Sequence, residues 1–262
     1  MLRLLRVLLL CIMAGNLAQA EKCGDHAADP IATDRPQITN SSIVVPCGSL
    51  QFENGFQLTT ANGSQRGFDF PETLVRVGVA GKTELRMGVP DYFYNNVTSS
   101  GYTNGFDDLG LGFQQQLGPT VGGFDLSLIP SVSLPTGANR LSSHGYDPAI
   151  QMPWSHPLTK SWTAAGMFSL LWPTVDGRRD LTGQASVYFD RQLTQPWDAY
   201  IEYSGAFQQR GGPEHVIDFG TAYKISPHQQ LDFHWNFGLS SAAPDHSLGF
   251  GYSFRVQVFG LR

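Results

Sequence analysis

The sequence predicts an all-β protein: a closed antiparallel transmembrane (outer-membrane) β-barrel of about 12 strands. Three observations predict it. From residue 48 onward, large apolar residues alternate with small, polar or charged ones, the period of strands with two unlike faces. The connections between these stretches alternate short and long, as the two ends of an outer-membrane barrel do. Ionisable side chains keep to one face of each stretch, and a charge turned to lipid costs about 2–4 kcal/mol at the bilayer midplane.

The elements follow in order. Residues 1–20, "MLRLLRVLLLCIMAGNLAQA", carry two arginines, a short apolar run and Ala18-Gln19-Ala20, the pattern of a secretory signal peptide. The run is too short to span a bilayer as a helix. Cys11 lacks the small residues that precede a lipoprotein cysteine, so no lipid anchor is read. Residues 21–47 hold no sustained period and are rich in Pro, Asp, Asn and Ser; they read as an N-terminal periplasmic tail or partial plug. Beyond the leader the cysteines are Cys23 and Cys47, which an oxidising compartment would join in a disulfide from the tail to the first strand. The other reading is two free thiols.

The barrel is predicted over 48–262. "SLQFENGFQL" sets Leu50, Phe52, Phe56 and Leu58 against Gln51, Glu53, Gly55 and Gln57. "ETLVRVGVA" and "KTELRMGV" continue the alternation. Further strands are expected near 108–117, 123–134, 147–157, 161–172, 181–192, 197–208, 214–225, 229–240 and 246–258. Most have the 9–11 residues that a tilted spanning strand needs. Loops are expected at 60–70, 90–107, 135–146 and 173–180, with tight turns at the opposite end. An even strand number places both termini in the periplasm. Trp154, Trp162, Trp172, Trp197 and Trp235 lie mostly near strand ends, where interfacial girdles form.

The alternation sends Glu53, Arg76, Glu84 and Arg86 inward on neighbouring strands, a cluster of opposite charges across a cramped lumen. Asp218, His234 and Arg255 face the same way further round, with Asp198, Glu202, Lys224 and Asp232. Arg191 and Glu214 break the pattern near strand ends, where the lipid penalty falls.

Several motifs carry a resemblance. "TDRPQITNSSIVVPCGSLQFENGF" joins Thr33-Asp34-Arg35-Pro36, a Ser-rich spacer, Val45-Pro46 with Gly48, and Gln51, Glu53 and Gly55. "GFDDLGLGFQQQL" and "SVSLPTG" follow in order. Together they resemble the "MetA-pathway of phenol degradation" family of outer-membrane transporters. The resemblance implies an outer-membrane barrel more strongly than it implies a substrate. The chain departs from the usual outer-membrane terminus, since Gly260, Leu261 and Arg262 follow Phe259; this bears on recognition by the barrel-assembly machinery. Asp34 and Arg35 could dock among the lumen charges, with Pro36 enforcing an extended chain; the alternative is a flexible tail. Asp107 and Asp108 beside glycine read as a turn with solvated ends.

No enzyme is read. G-x-S-x-G and H-E-x-x-H are absent and the seven histidines lack metal-ligand spacing. His215 and Asp218 lie three residues apart on one strand and point to opposite faces. Neither cofactor nor metal is expected. The acidic balance, 17 Lys and Arg against 22 Asp and Glu, and the lack of a basic run argue against nucleic acid. The expected partners are outer-membrane lipids, small-molecule solutes and the assembly machinery. The expected function is passive passage of small solutes, hydrophobic or aromatic compounds among them, gated by the tail or by loops 90–107 and 135–146. The alternative is a structural or adhesive barrel with a closed, salt-bridged lumen.

Overall fold

The computed structural model describes residues 29–63, 65–98 and 101–258. The predicted signal peptide, Cys23 and the terminal residues after Val258 lie outside them. The strands are β1 (Ser49–Ala61), β2 (Gln65–Phe70), β3 (Leu74–Ala80), β4 (Thr83–Gly88), β5 (Tyr92–Thr98) and β6 (Gly101–Phe106). Next come β7 (Leu109–Gln116), β8 (Asp125–Leu134), β9 (Asp147–Pro157) and β10 (Trp162–Leu171). A two-residue hairpin, β11 (Thr174–Val175) and β12 (Arg178–Arg179), decorates one loop. The rest are β13 (Thr182–Thr194), β14 (Trp197–Gln208), β15 (Glu214–Ser226), β16 (Gln229–Gly238) and β17 (His246–Gln257). No helix forms among the described residues.

These strands close a ring. Its order is β1, β3, β4, β7, β8, β9, β10, β13, β14, β15, β16 and β17, with β17 pairing back to β1. Every pairing is antiparallel. That is a closed twelve-stranded barrel. The closing seam is long, running from Ser49↔Gln257 to Thr60↔His246, so no strand edge is left to pair outside the ring there.

The expected loops 60–70 and 90–107 are largely strand, which corrects the sequence reading. β2 continues the line of β3, β5 that of β4, and β6 that of β7. Short breaks at 71–73, 89–91 and 107–108 separate the halves. Each break inserts one residue, so the outward set changes parity. Phe70 faces out above the first break and Val79 below it; Tyr94 and Leu85 flank the second, Phe106 and Leu111 the third. Such a bulge re-aims side chains and bends the wall. Single bonds stitch the line: Gly55 N to Pro71 O, Val89 N to Thr73 O, and Asp107 N to Asp91 O.

The interior is inverted relative to a soluble domain. Fully buried side chains include Arg76, Gln51, Gln114, Glu53, Glu84, Glu202 and Asp218. Outward residues such as Phe168, Phe219 and Leu231 are broadly exposed, as a face made for hydrocarbon would be. The two off-pattern charges are resolved. Glu214 pairs across from Ala206 on the inner face. Arg191 faces out at the short-turn end, its guanidinium 5.4 Å from the centroid of Trp162, a cation–π contact. Trp172 lines the lumen rather than an outer girdle.

Candidate functional site

The lumen is crossed by residues 29–48. The tail enters beside the β15–β16 turn, where Ile31 N donates to Pro227 O at 2.7 Å. It leaves at the start of β1, where Gly48 N donates to Gly78 O at 2.8 Å. Between these points it has no ladder partner, so its backbone donors need acceptors from the wall. Three carboxylates supply them. Glu53 Oε2 accepts from Asp34 N (2.7 Å) and Arg35 N (3.3 Å). Glu202 accepts from Ile38 N (2.7 Å) and Thr39 N (3.0 Å). Glu84 Oε2 accepts from Val45 N at 2.5 Å. The tail bends from one carboxylate to the next, so the extended run expected at Pro36 is not what forms.

The predicted cluster assembles around the tail. Register sets Arg76 directly opposite Arg86, and like charges so placed repel. Glu84 answers the repulsion: its Oε1 takes Arg76 Nε at 2.7 Å and Arg86 Nη1 at 2.8 Å. Asp34 of the tail bridges the same two guanidiniums. Arg76 places all five of its donors. Glu84 takes two, at 2.7 and 3.0 Å; Glu53 takes one at 2.9 Å, and the carbonyls of Ala32 and Ile43 take the others. A buried charge left without such partners would be strongly destabilising.

The other predicted site residues lie apart from this cluster. Asp218 accepts from Tyr200 Oη at 2.6 Å. His234 Nε2 meets Gln57 Oε1 at 3.2 Å. Arg255 donates to the carbonyls of Asp29 and Pro30, at 2.5 and 3.5 Å, and so holds the tail's entry. Cys47 is buried at the floor of the barrel; Cys23, its expected partner, lies outside the described residues.

Sequence reasoning missed two tail contacts. Arg35 pairs with Glu72 at 2.6 Å. Glu72 sits in the first break with φ +45°, and the bulge turns its carboxylate into the lumen. Arg35 itself lies against Gly55 and Gly251, which are direct cross-strand partners. A Cβ on either glycine would collide with its side chain. The motif order Gln51-x-Glu53-x-Gly55 thus forms a receptor: Gln51 donates to Ala32 O at 2.8 Å, Glu53 caps two tail amides, and Gly55 makes room for Arg35.

Asp107 and Asp108 form the third break in a continuing strand line rather than a turn, and their carboxylates are bonded rather than solvated. Asp107 Oδ1 accepts from Asp91 N at 2.6 Å. Asp108 accepts from Gly137 N at 2.8 Å and Ser143 N at 3.0 Å, which pins loop 135–146 to the third break.

Two cavities flank the tail. One of about 520 Å³ opens at the long-loop end, lined by Leu74, Arg86, Ile129, Gln151, Leu171 and Trp172 among others. The second, about 340 Å³, lies at the short-turn end between the tail and Trp154, Ser155, Tyr188, Asp198 and Lys224.

Residues 33–256 match the family described as "Putative MetA-pathway of phenol degradation". No curated protein matches the sequence. Among solved structures, the chain is similar to the COG4313 outer membrane channel from Pseudomonas putida F1. The TM-score is 0.63 at 13% identity, covering 84% of this chain and 100% of that one. It is also similar to the NanC porin, with TM-score 0.57 at 12% identity, covering 79% of this chain and 100% of that one.

Proposed function

The chain belongs to the family described as the MetA-pathway of phenol degradation, and from that premise we propose that it is an outer-membrane channel for passive passage of small solutes. The observation that carries the reading is the pair of cavities, about 520 and 340 Å³, at the two ends of one lumen. A barrel built only as a scaffold would fill that space with side chains. Similarity to the outer membrane channel from Pseudomonas putida supports it.

The solute class follows from the larger cavity. Leu74, Ile129, Leu171 and Trp172 offer apolar contact, while Ser131, Gln151 and Gln184 offer neutral hydrogen bonds. Small, weakly polar or aromatic molecules suit such a lining, in keeping with the family's name. Passage needs no chemistry from the protein, so no enzymatic role enters. Ile31 and Val258, near the two ends of the described chain, lie at the short-turn end, which we assign to the periplasm with both termini. There the signal peptide has been removed and Cys23 bonds Cys47. Lumen charges, Arg86 foremost, set the ion preference.

The test is planar-bilayer conductance of refolded protein, with heat-modifiable gel mobility confirming the fold. Discrete steps are expected, smaller than those of open porins. The competing reading, a closed structural barrel, is favoured by the complete bonding of Arg76. It predicts silence from folded protein, including variants in which the tail has been unlocked.

A further inference from the structure

The tail's anchors differ in kind. Asp34 and Arg35 are held by ion pairs, and Ile38, Thr39 and Val45 by wall carboxylates. Ser41 is held twice, its N–H by Asp34 at 3.0 Å and its carbonyl by Gln114 at 2.9 Å. Ser42 is held by Ser127 at 2.6 Å and Ser155 at 2.8 Å. Asn40 stands among them with one neutral side-chain bond, to Gln151 Oε1 at 3.2 Å.

That bond sits where the two cavities meet. Gln151 lines the large cavity and Asn40 lines the small one. The other place where the large cavity reaches the tail is Arg86 against Asp34, a buried ion pair. An ion pair within a bonded network resists opening, whereas two carboxamides can part by rotating side chains. Because both carboxamides are neutral, a solute passing between them loses no ionic partner and leaves none behind.

We propose that the tail is a fixed septum and that the Asn40–Gln151 pair is the gate within it, passing small uncharged solutes while the rest of the tail stays docked. The proposal rests on the channel reading above and deepens it. The gate is the carboxamide pair at the meeting of the cavities; the ion pairs, wall carboxylates and serine bonds are the frame.

Single-channel recording in potassium chloride tests this on the refolded protein. The variants are Asn40→Ala and Gln151→Ala, one on the tail and one on the wall, so a folding failure in either leaves the other. Endoproteinase Asp-N cleavage before Asp34 reports whether the tail remains docked. The expected result is a conductance about twofold or more above the parent in each variant, with the Thr33–Asp34 bond still protected. Unchanged steps in both, alongside conduction by Asp34→Ala/Arg35→Ala protein, would overturn the gate and leave the channel standing. Raised conductance with loss of protection would also overturn it, since the whole tail would then be leaving. Silence from every folded variant, the unlocked one included, would remove the channel reading itself.

Discussion

Arg76 shows how much of the barrel's interior hangs on single side chains. Its five donors reach two wall carboxylates and two tail carbonyls, and Asp34 lies 3.2 Å away. Removing it leaves Glu53 buried without its ion pair and leaves Glu84 to Arg86 alone. Arg76→Gln is therefore expected to cost about 3–5 kcal/mol, read as a lower guanidinium unfolding midpoint. Lys in its place would supply a point charge without the planar fork, so Arg76→Lys should recover only part of that loss. A second prediction concerns space rather than charge. Gly55→Val puts a side chain where Arg35 lies, and should expose the Thr33–Asp34 bond to endoproteinase Asp-N while the barrel stays folded. At this scale the sequence was readable where parity held. Glu53, Arg76, Glu84 and Arg86 could be placed inward because each lies in an unbroken alternation. Glu72 could not, since its direction is set by a one-residue insertion that no two-residue period contains.

The elements show the same division. From β8 onward the strands were legible almost to the residue, because their alternation runs unbroken between turns. The halves above the breaks were not. β2, β5 and β6 carry good alternation of their own, in Phe68 and Phe70 or Tyr92 and Tyr94, but out of phase with β3, β4 and β7. A period count across Pro71, Pro90 or Asp107 therefore cancels itself and reads as loop. Loop 135–146, by contrast, is tied to the break line through one carboxylate. Asp108→Ala leaves the amides of Gly137 and Ser143 without their acceptor. It should raise hydrogen exchange across 135–146 and cost about 1–3 kcal/mol, with little change in the strands below.

As a whole, the molecule is a polar core inside an apolar shell, and stability should respond to position accordingly. Phe219 faces out midway along β15, 41% exposed. Phe219→Arg is expected to cost about 2–4 kcal/mol in lipid, whereas Leu193→Arg beside the β13–β14 turn should cost about 0–1 kcal/mol. Unfolding titrations in bilayers would show the gradient, and equal costs at the two positions would contradict the assigned membrane placement. The paired motifs belong to this scale too. The Asp34-Arg35 segment meets the Glu53–Gly55 segment inside the lumen. "DDLGLG" meets "LPTG" at the rim through Asp108 with Gly137, and through Leu109 N with Thr136 Oγ1 at 2.9 Å. Their order along the chain could be read from the sequence; that they are two halves of two locks could not.

The tail's position has a consequence for how the protein is made. Residues 29–48 touch the first wall strands through Glu53, Arg76 and Glu84, and the last through Gln230, Asp232 and Arg255. An assembly order that zips β1 to β17 first would then have to thread Asp34 and Arg35 into a sealed tube. An order that lays the tail down early lets the final seam close over it. The strands are then gathered around a template carried at the chain's own front end, which offsets part of the entropy of joining segments some 200 residues apart.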